Sequence, residues 1–260
     1  MKQLLFVLPV LFLLFGCKGS GIGPSIDRSD SLIVIDAGHG GHDTGATADG
    51  KYEKELVLKI AQRTANKFKE MGYRVYLTRA DDRFIKLSGR TKIADKLDAK
   101  VFISIHANAI ANKSRFQVVE GIETYYLQKT RDGRSQRIAK RENDAVLQGA
   151  DSLSKDVIID SVLSGPKLIE SNKLAIDVQN SLMKEVKTLY PNTKNGGARP
   201  APFYVLVGAS RPSILVEVGY ITNDKERAKL FTDAYQKKIV EGIAAGATRY
   251  IDNRKRELGF

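Results

Sequence analysis

The stretch IDAGHGGHDTGA, residues 35–46, continues the aliphatic run Leu32-Ile33-Val34-Ile35 and sets two of the chain's three histidines in a glycine-rich turn. A β-branched run ending in such a turn reads as a strand that delivers polar side chains to the end of a sheet. The rest of the chain keeps the same alternation. Strand-like runs fall at Leu32–Asp36, Tyr73–Thr78, Lys100–His106, Gly121–Leu127, Phe203–Val207 and Ile214–Val218. Helix-like runs fall at Lys54–Met71, Ser88–Leu97, Lys167–Leu189 and Ala234–Tyr250, and Gly72 is placed to end the first of them. The pattern predicts an α/β fold, a single domain with a mostly parallel sheet flanked by helices. Residues 128–165 break it. They are polar, charged and helical in composition, and read as a helical insertion that serves as a lid or as a solvated excursion.

Composition narrows the setting. The chain has 260 residues, 42% of them hydrophobic, enough for one substantial core. Its formal net charge of +12 favours polyanions: nucleic acid, anionic lipid or an acidic wall polymer. The start, MKQLLFVLPVLFLLFGCKGS, has Lys2, an apolar stretch from Leu4 to Phe15, and then Gly16-Cys17. That is the n-region and h-region of an export signal, residues 1–16, and it is short for a membrane span. The single cysteine, Cys17, can form no internal disulfide. LFGC resembles a bacterial lipobox, which implies lipidation of Cys17 and a tether over 17–30; the alternative is an ordinary signal peptide with an incidental cysteine. Export argues against nucleic acid as a partner. A lysine at position 18, where a retention signal would place aspartate, points to the periplasmic face of the outer membrane.

Three polar residues fall where strands end or helices begin: His39 after the first strand, Glu53 at the first helix, His106 closing VFISIH. In an open α/β sheet, ligands collect at the carboxyl ends of the parallel strands. Two imidazoles and a carboxylate suit a catalytic zinc ion, with a fourth position left for water. Singly, each residue has a plain structural reading: a buried histidine, a first-turn carboxylate, a turn residue. Together they favour a metal. Glu217, interrupting the apolar run Ile214–Val218, is a candidate to move the proton of a water activated there.

These stretches have a family likeness. IVIDAGHGGHDTGA, EKELVLKIA, YLTRADD, VFISIHANA, FYVL and ILVEVGYITN, in this order, resemble the zinc-dependent N-acetylmuramoyl-L-alanine amidases of the AmiC-like family, from Ser31 to about residue 253. The resemblance implies peptidoglycan as substrate and cleavage between N-acetylmuramic acid and the L-alanine of the stem peptide. It implies one zinc ion on His39, Glu53 and His106, Glu217 as the catalytic carboxylate, and a solvent- or substrate-facing place for His42. Asp36, Asn108 and Arg79 sit in family motifs and read as supports for the ligands or the sheet ends. The insertion resembles the helix that, in cell-division amidases, blocks the zinc cleft until an activator protein displaces it. Glu142 is the candidate inhibitory residue, with Asp144 and Asp151 as alternatives. Two other readings stand beside this one: a zinc peptidase acting on stem peptides, and a non-catalytic peptidoglycan-binding lipoprotein on the same scaffold.

Overall fold

The computed structural model describes residues 27–144 and 166–259. The chain runs β1 (Leu32–Ala37), β2 (Thr47–Ala48), β3 (Lys51–Tyr52), α1 (Glu53–Glu70), β4 (Arg74–Leu77), α2 (Leu87–Lys96), β5 (Val101–Asn108), β6 (Ile122–Leu127) and α3 (Gly133–Asp144). It continues with α4 (Pro166–Lys187), β7 (Asn195–Ala201), β8 (Ser213–Tyr220), α5 (Asp224–Leu230) and α6 (Asp233–Glu257). One six-stranded sheet carries the order β4-β1-β5-β8-β6-β7, while β2 and β3 form a separate small hairpin. The first four strands of that order are mutually parallel. β6 pairs antiparallel with β8 and parallel with β7. The sheet is therefore mostly parallel with one antiparallel joint, and β1, β5 and β8 are buried along their whole length. Burial on both faces is why these strands read as continuous apolar runs.

Strand alternation sends one set of side chains to α1, α4 and α6 and the other to α2 and α3. The first face holds the larger core, with Ile33, Ile35, Ile103, Ile105, Ile214 and Val216 from the sheet against Leu56, Ile60, Phe68, Val178, Leu182 and Ile243 from the helices. α4 and α6 approach closely because Gly242 and Gly246 lack a Cβ: one at Gly246 would lie 2.4 Å from Cα of Val178. The second face holds a smaller cluster, Val34, Phe102, Tyr125, Leu127, Phe203, Leu206 and Leu215.

Two expectations change. Phe203–Val207 is not a strand; it contains the 3-10 turn Tyr204–Leu206. The sixth strand is β7, whose sequence NGGARPA carries two glycines and a proline. Such residues weaken a strand, and Pro200 is tolerated because β7 lies at the sheet edge. The helix expected to end at Tyr250 continues to Glu257. Of the insertion, α3 lies within the described residues, whereas 145–165, with Asp151, lie outside them. Residues 1–16, read from the sequence as an export signal, and Cys17 also lie outside the described residues. Residues 27–30 pack against α6 through the Arg28–Asp252 ion pair at 2.7 Å. Among the described residues no helix is long and apolar enough to cross a membrane.

Candidate metal centre

The turn after β1 is built in an unfavourable conformation and held there. His39 has φ +59°, in the left-handed region that costs an L-residue on the order of 1–3 kcal/mol. Two buried guanidinium groups grip its carbonyls. Arg79 donates to the oxygens of Ala37 at 2.9 Å and Gly38 at 2.7 Å. Arg90 donates to those of Ala37 at 2.6 Å and His39 at 2.8 Å. Glu53, the first residue of α1, accepts from the backbone N–H of Ala46 and of Ala107, both at 2.9 Å, so its carboxylate is fixed between the loop after β1 and the end of β5. Gly45 leaves both groups room: a Cβ there would lie 2.6 Å from the His39 ring and 2.8 Å from Glu53 Oε2. His106, near the end of β5, lies against Gly38, where a Cβ would sit 2.4 Å from its ring.

These three side chains converge with a fourth, Glu142 of α3. His39 Nε2 is 3.1 Å from Glu53 Oε1, and His106 Nδ1 is 3.2 Å from the same oxygen. Glu142 Oε2 is 3.2 Å from both imidazole nitrogens. One ligand atom from each residue falls within a 4.8 Å group, and all four residues are buried. His39 Nε2 and Glu142 Oε2 are buried without a hydrogen-bond partner. Metal–ligand bonds of about 2.0–2.1 Å in a tetrahedron set ligand atoms about 3.3 Å apart, close to the spacing here. Inward-facing orphan atoms at that spacing, on a His2Glu2 donor set, fit a zinc ion.

The second nitrogen of His39 is already taken: Nδ1 donates to Asp43 Oδ2 at 2.9 Å, which turns the Nε2 lone pair toward the cluster. Asp36, Asn108 and Arg79, read from the sequence as supports for the ligands or the sheet ends, bond no imidazole and lie on the side of the sheet ends. Asp36 accepts from Thr78, Ser104 and Arg90 at the end of the sheet. Asn108 donates to Glu123 at 3.2 Å. Arg79 acts on carbonyls alone, so its part is to hold the turn. Asp43 had a readable signal, a carboxylate four residues after His39. Arg90 had none, because its contact spans more than fifty residues. His42 is exposed and packs on Phe84, with ring centroids 4.2 Å apart.

Crowded charges shape the proton affinities. Burial opposes a charge on His106, but Glu142 and Glu53 outweigh it and raise the pKa to about 9. Burial likewise opposes a charge on His39, yet Glu53 and Asp43 hold its pKa well above the ordinary 6.5. Glu53 is drawn down to about 2, against its burial, by His39. The cluster therefore calls for positive charge, from protons or from an ion that displaces them. Glu217 is the register partner of His106 across β5 and β8, and both its oxygens are buried without a hydrogen bond. Burial, and then the nearby Glu142, push its pKa well above the ordinary carboxyl value.

α3 is fastened over the cluster. Arg141 donates to Glu142 Oε1 at 2.9 Å and to Asn108 Oδ1 at 3.3 Å. Asn143 donates to the Pro202 carbonyl at 2.9 Å and accepts from the Tyr204 N–H at 2.8 Å. Asp144, one of the alternatives to Glu142, pairs instead with Lys140 on the solvent side.

Known proteins share this arrangement of elements. The profile of the N-acetylmuramoyl-L-alanine amidase family matches residues 33–249. AmiA of Escherichia coli K12, an N-acetylmuramoyl-L-alanine amidase, is 34% identical over 233 residues, covering 86% of this chain and 78% of AmiA. The crystal structure of an N-acetylmuramoyl-L-alanine amidase from Clostridium difficile 630 superposes with a TM-score of 0.66 at 30% identity, covering 88% of this chain and 99% of that one. The CwlD amidase of Clostridioides difficile, solved in complex with the GerS lipoprotein, superposes with a TM-score of 0.65 at 25% identity, covering 86% of this chain and all (100%) of CwlD. With the profile spanning most of its length, and with relatives of this identity and coverage, the chain belongs to the N-acetylmuramoyl-L-alanine amidase family.

Proposed function

We propose that this chain is a zinc-dependent peptidoglycan amidase, hydrolysing the amide between N-acetylmuramic acid and L-alanine, and that α3 holds it closed until an activator protein withdraws the helix. The observation that carries the reading is the four-residue cluster: His39 and His106 from the strand ends, Glu53 from the start of α1, and a fourth donor, Glu142, from the insertion. His39 Nε2, His106 Nδ1 and Glu53 would hold the ion. When bound, zinc would supply Lewis-acid polarisation of the scissile carbonyl and acidification of a water.

The chain's own groups do the rest. Asp43 fixes the His39 tautomer, and the Ala46 and Ala107 N–H groups fix Glu53, so the ligands meet the ion preorganised. Glu217 stands beside His106 with two free oxygens. It takes a proton from the attacking water as the oxygen bonds to the carbonyl carbon, then passes it to the nitrogen as the C–N bond breaks. Glu142 opposes this twice, by occupying the position the water needs and by raising the proton affinity of Glu217. An activator is supported by analogy with CwlD, whose structure was solved with a lipoprotein bound. Export through residues 1–16 and a lipid anchor at Cys17, placing the chain in the bacterial envelope, rest on the sequence signals.

The test is release of new L-alanine amino termini from purified peptidoglycan by mature full-length protein and by its Glu142→Ala variant, which removes the blocking carboxylate of α3, after chelation and after zinc is restored. The proposal expects cleavage lost on chelation and regained with zinc, with L-alanine as the new amino terminus. Other amino termini would favour a stem peptidase, and metal binding with no cleavage under any condition would favour a binding scaffold.

A further inference from the structure

A second carboxylate lies on the floor of the same site. Glu123 of β6 is the register partner of Glu217, as Glu217 is of His106. Side chains paired across neighbouring strands share a face, so His106, Glu217 and Glu123 form one row across the sheet. Glu123 is fully buried. Its Oε2 accepts from Asn108 Nδ2 at 3.2 Å and from the hydroxyls of Tyr125 and Tyr220 at 3.0 Å each. Its Oε1 is buried without a hydrogen bond, although the Arg134 guanidinium of α3 stands 2.9 Å away. That guanidinium also lies 5.8 Å from the centre of the Tyr220 ring. A free carboxylate oxygen beside an aromatic face is a cation seat. Gly196, one of the two glycines on β7, serves it too, since a Cβ there would fall 2.1 Å from the Glu123 side chain.

We infer that Glu123 receives the amino group released from L-alanine, and that Arg134 fills this seat while α3 is closed. The inference rests on the amidase reading and on withdrawal of α3. Hydrolysis adds the water oxygen to the carbonyl carbon. The nitrogen keeps the electron pair of the broken C–N bond, takes one proton through Glu217 and a second from solvent, and leaves as an ammonium. An α-amino group has a pKa of about 7.7–8.0, so it departs largely as a cation near neutral pH. The reacting carbon is drawn to the His106 end of the row, which puts the nitrogen at Glu217 and Glu123 one strand further on. Adjacent strands lie about 4.8 Å apart, so one ammonium can reach both carboxylates. A purely structural role explains the pair poorly. An ion pair whose arginine is more than a third exposed adds little net stability, and here that cation comes from the helix that has to leave. Arg199, 3.7 Å from Oε1, stays on β7, where its Nε donates to the Gly196 carbonyl at 2.6 Å.

The experiment is calorimetric binding of an L-alanyl stem peptide with a free amino terminus, against its N-acetylated form, to zinc-loaded full-length chain carrying Glu142→Ala, so that the carboxylate of α3 no longer blocks the cleft. Arg134→Gln is expected to tighten the free-amine peptide about tenfold and leave the acetylated one unchanged. Glu123→Gln is expected to abolish the preference for the free amine, and to lower kcat on peptidoglycan more than it raises KM. Tyr220→Phe, which removes one donor to Glu123, should reduce the preference and stands in should Glu123→Gln fail to fold. An unchanged preference in Arg134→Gln and in both Glu123→Gln and Tyr220→Phe overturns the seat. The two readings separate cleanly. Cleavage of peptidoglycan by Arg134→Gln without any amine preference rejects the seat and keeps the amidase. A Glu123-dependent amine preference in a chain that never cleaves keeps the seat as a binding site and rejects the amidase.

Discussion

The two faces of the sheet are made on opposite terms. Toward α1, α4 and α6 the strands present Ile33, Ile35, Ile103, Ile105, Ile214 and Val216, and the helices close over them with Gly242 and Gly246 at the α4–α6 contact. Toward α2 and α3 the same strands present Asp36, His106, Glu123 and Glu217, all buried. Both oxygens of Glu217 and one of Glu123 lack hydrogen bonds there, a destabilising condition for buried polar groups. One face supplies the stability that lets the other hold groups in costly surroundings. The division is spatial and only one residue deep, since neighbours such as Ile105 and His106 belong to different faces. A strand can therefore serve both ends without compromise.

This contrast can be broken from either side. The largest effect is expected on the site face: Glu217→Gln should lower peptidoglycan hydrolysis by about 10²–10⁴-fold, with zinc content and thermal midpoint nearly unchanged. Steady-state rates alongside metal analysis check it. On the apolar face, Leu182→Ala should cost about 2–5 kcal/mol of stability in denaturant unfolding while leaving zinc affinity as it was. A loss of zinc affinity there would mean that the faces are coupled. Asp43→Ala should weaken zinc binding by about 10–100-fold, measured by chelator competition, because His39 loses the partner that fixes its tautomer. The pH dependence follows from the raised imidazoles. Without metal, His106 keeps its proton up to a pKa of about 9, so an ion binding at neutral pH has to displace it. Zinc binding should release protons and weaken as the pH falls below about 9, which calorimetry in buffers of different ionisation heat would read. The smallest effect is expected at His42: its replacement by alanine should leave zinc content intact and change stability by no more than about 0.5 kcal/mol.

What the sequence made legible divides along the same line. Buried parallel strands announce themselves as aliphatic runs, so β1, β5 and β8 are readable, and the residues ending them fall together by topology. β7 is not readable, because an edge strand with two glycines and a proline has neither the propensity nor the alternation of a strand. Arg90 escapes for a different reason: apart from Asp36, far away in sequence, its partners are backbone carbonyls such as those of Ala37 and His39, and no side-chain pattern encodes a carbonyl. Glu123 is the instructive omission. GIETYYL carries the same signal as ILVEVGY, a carboxylate inside an apolar strand, and the two carboxylates prove to be register partners. The signal was present in both and draws notice only where a metal is already suspected. Glu142 is the opposite case. It sits in a polar helix with no local mark of its role, and only the folded chain brings it to within 3.2 Å of both imidazoles.

The central claim is that a metal centre made by the sheet is closed by a carboxylate from α3. The most direct measurement compares full-length protein with its Glu142→Ala variant, matched for zinc content, in the release of new L-alanine amino termini from purified peptidoglycan. The account predicts that the variant, relieved of the oxygen that occupies the fourth position, cleaves at least tenfold faster without an activator. Equal or slower cleavage by a folded, zinc-loaded variant would contradict it.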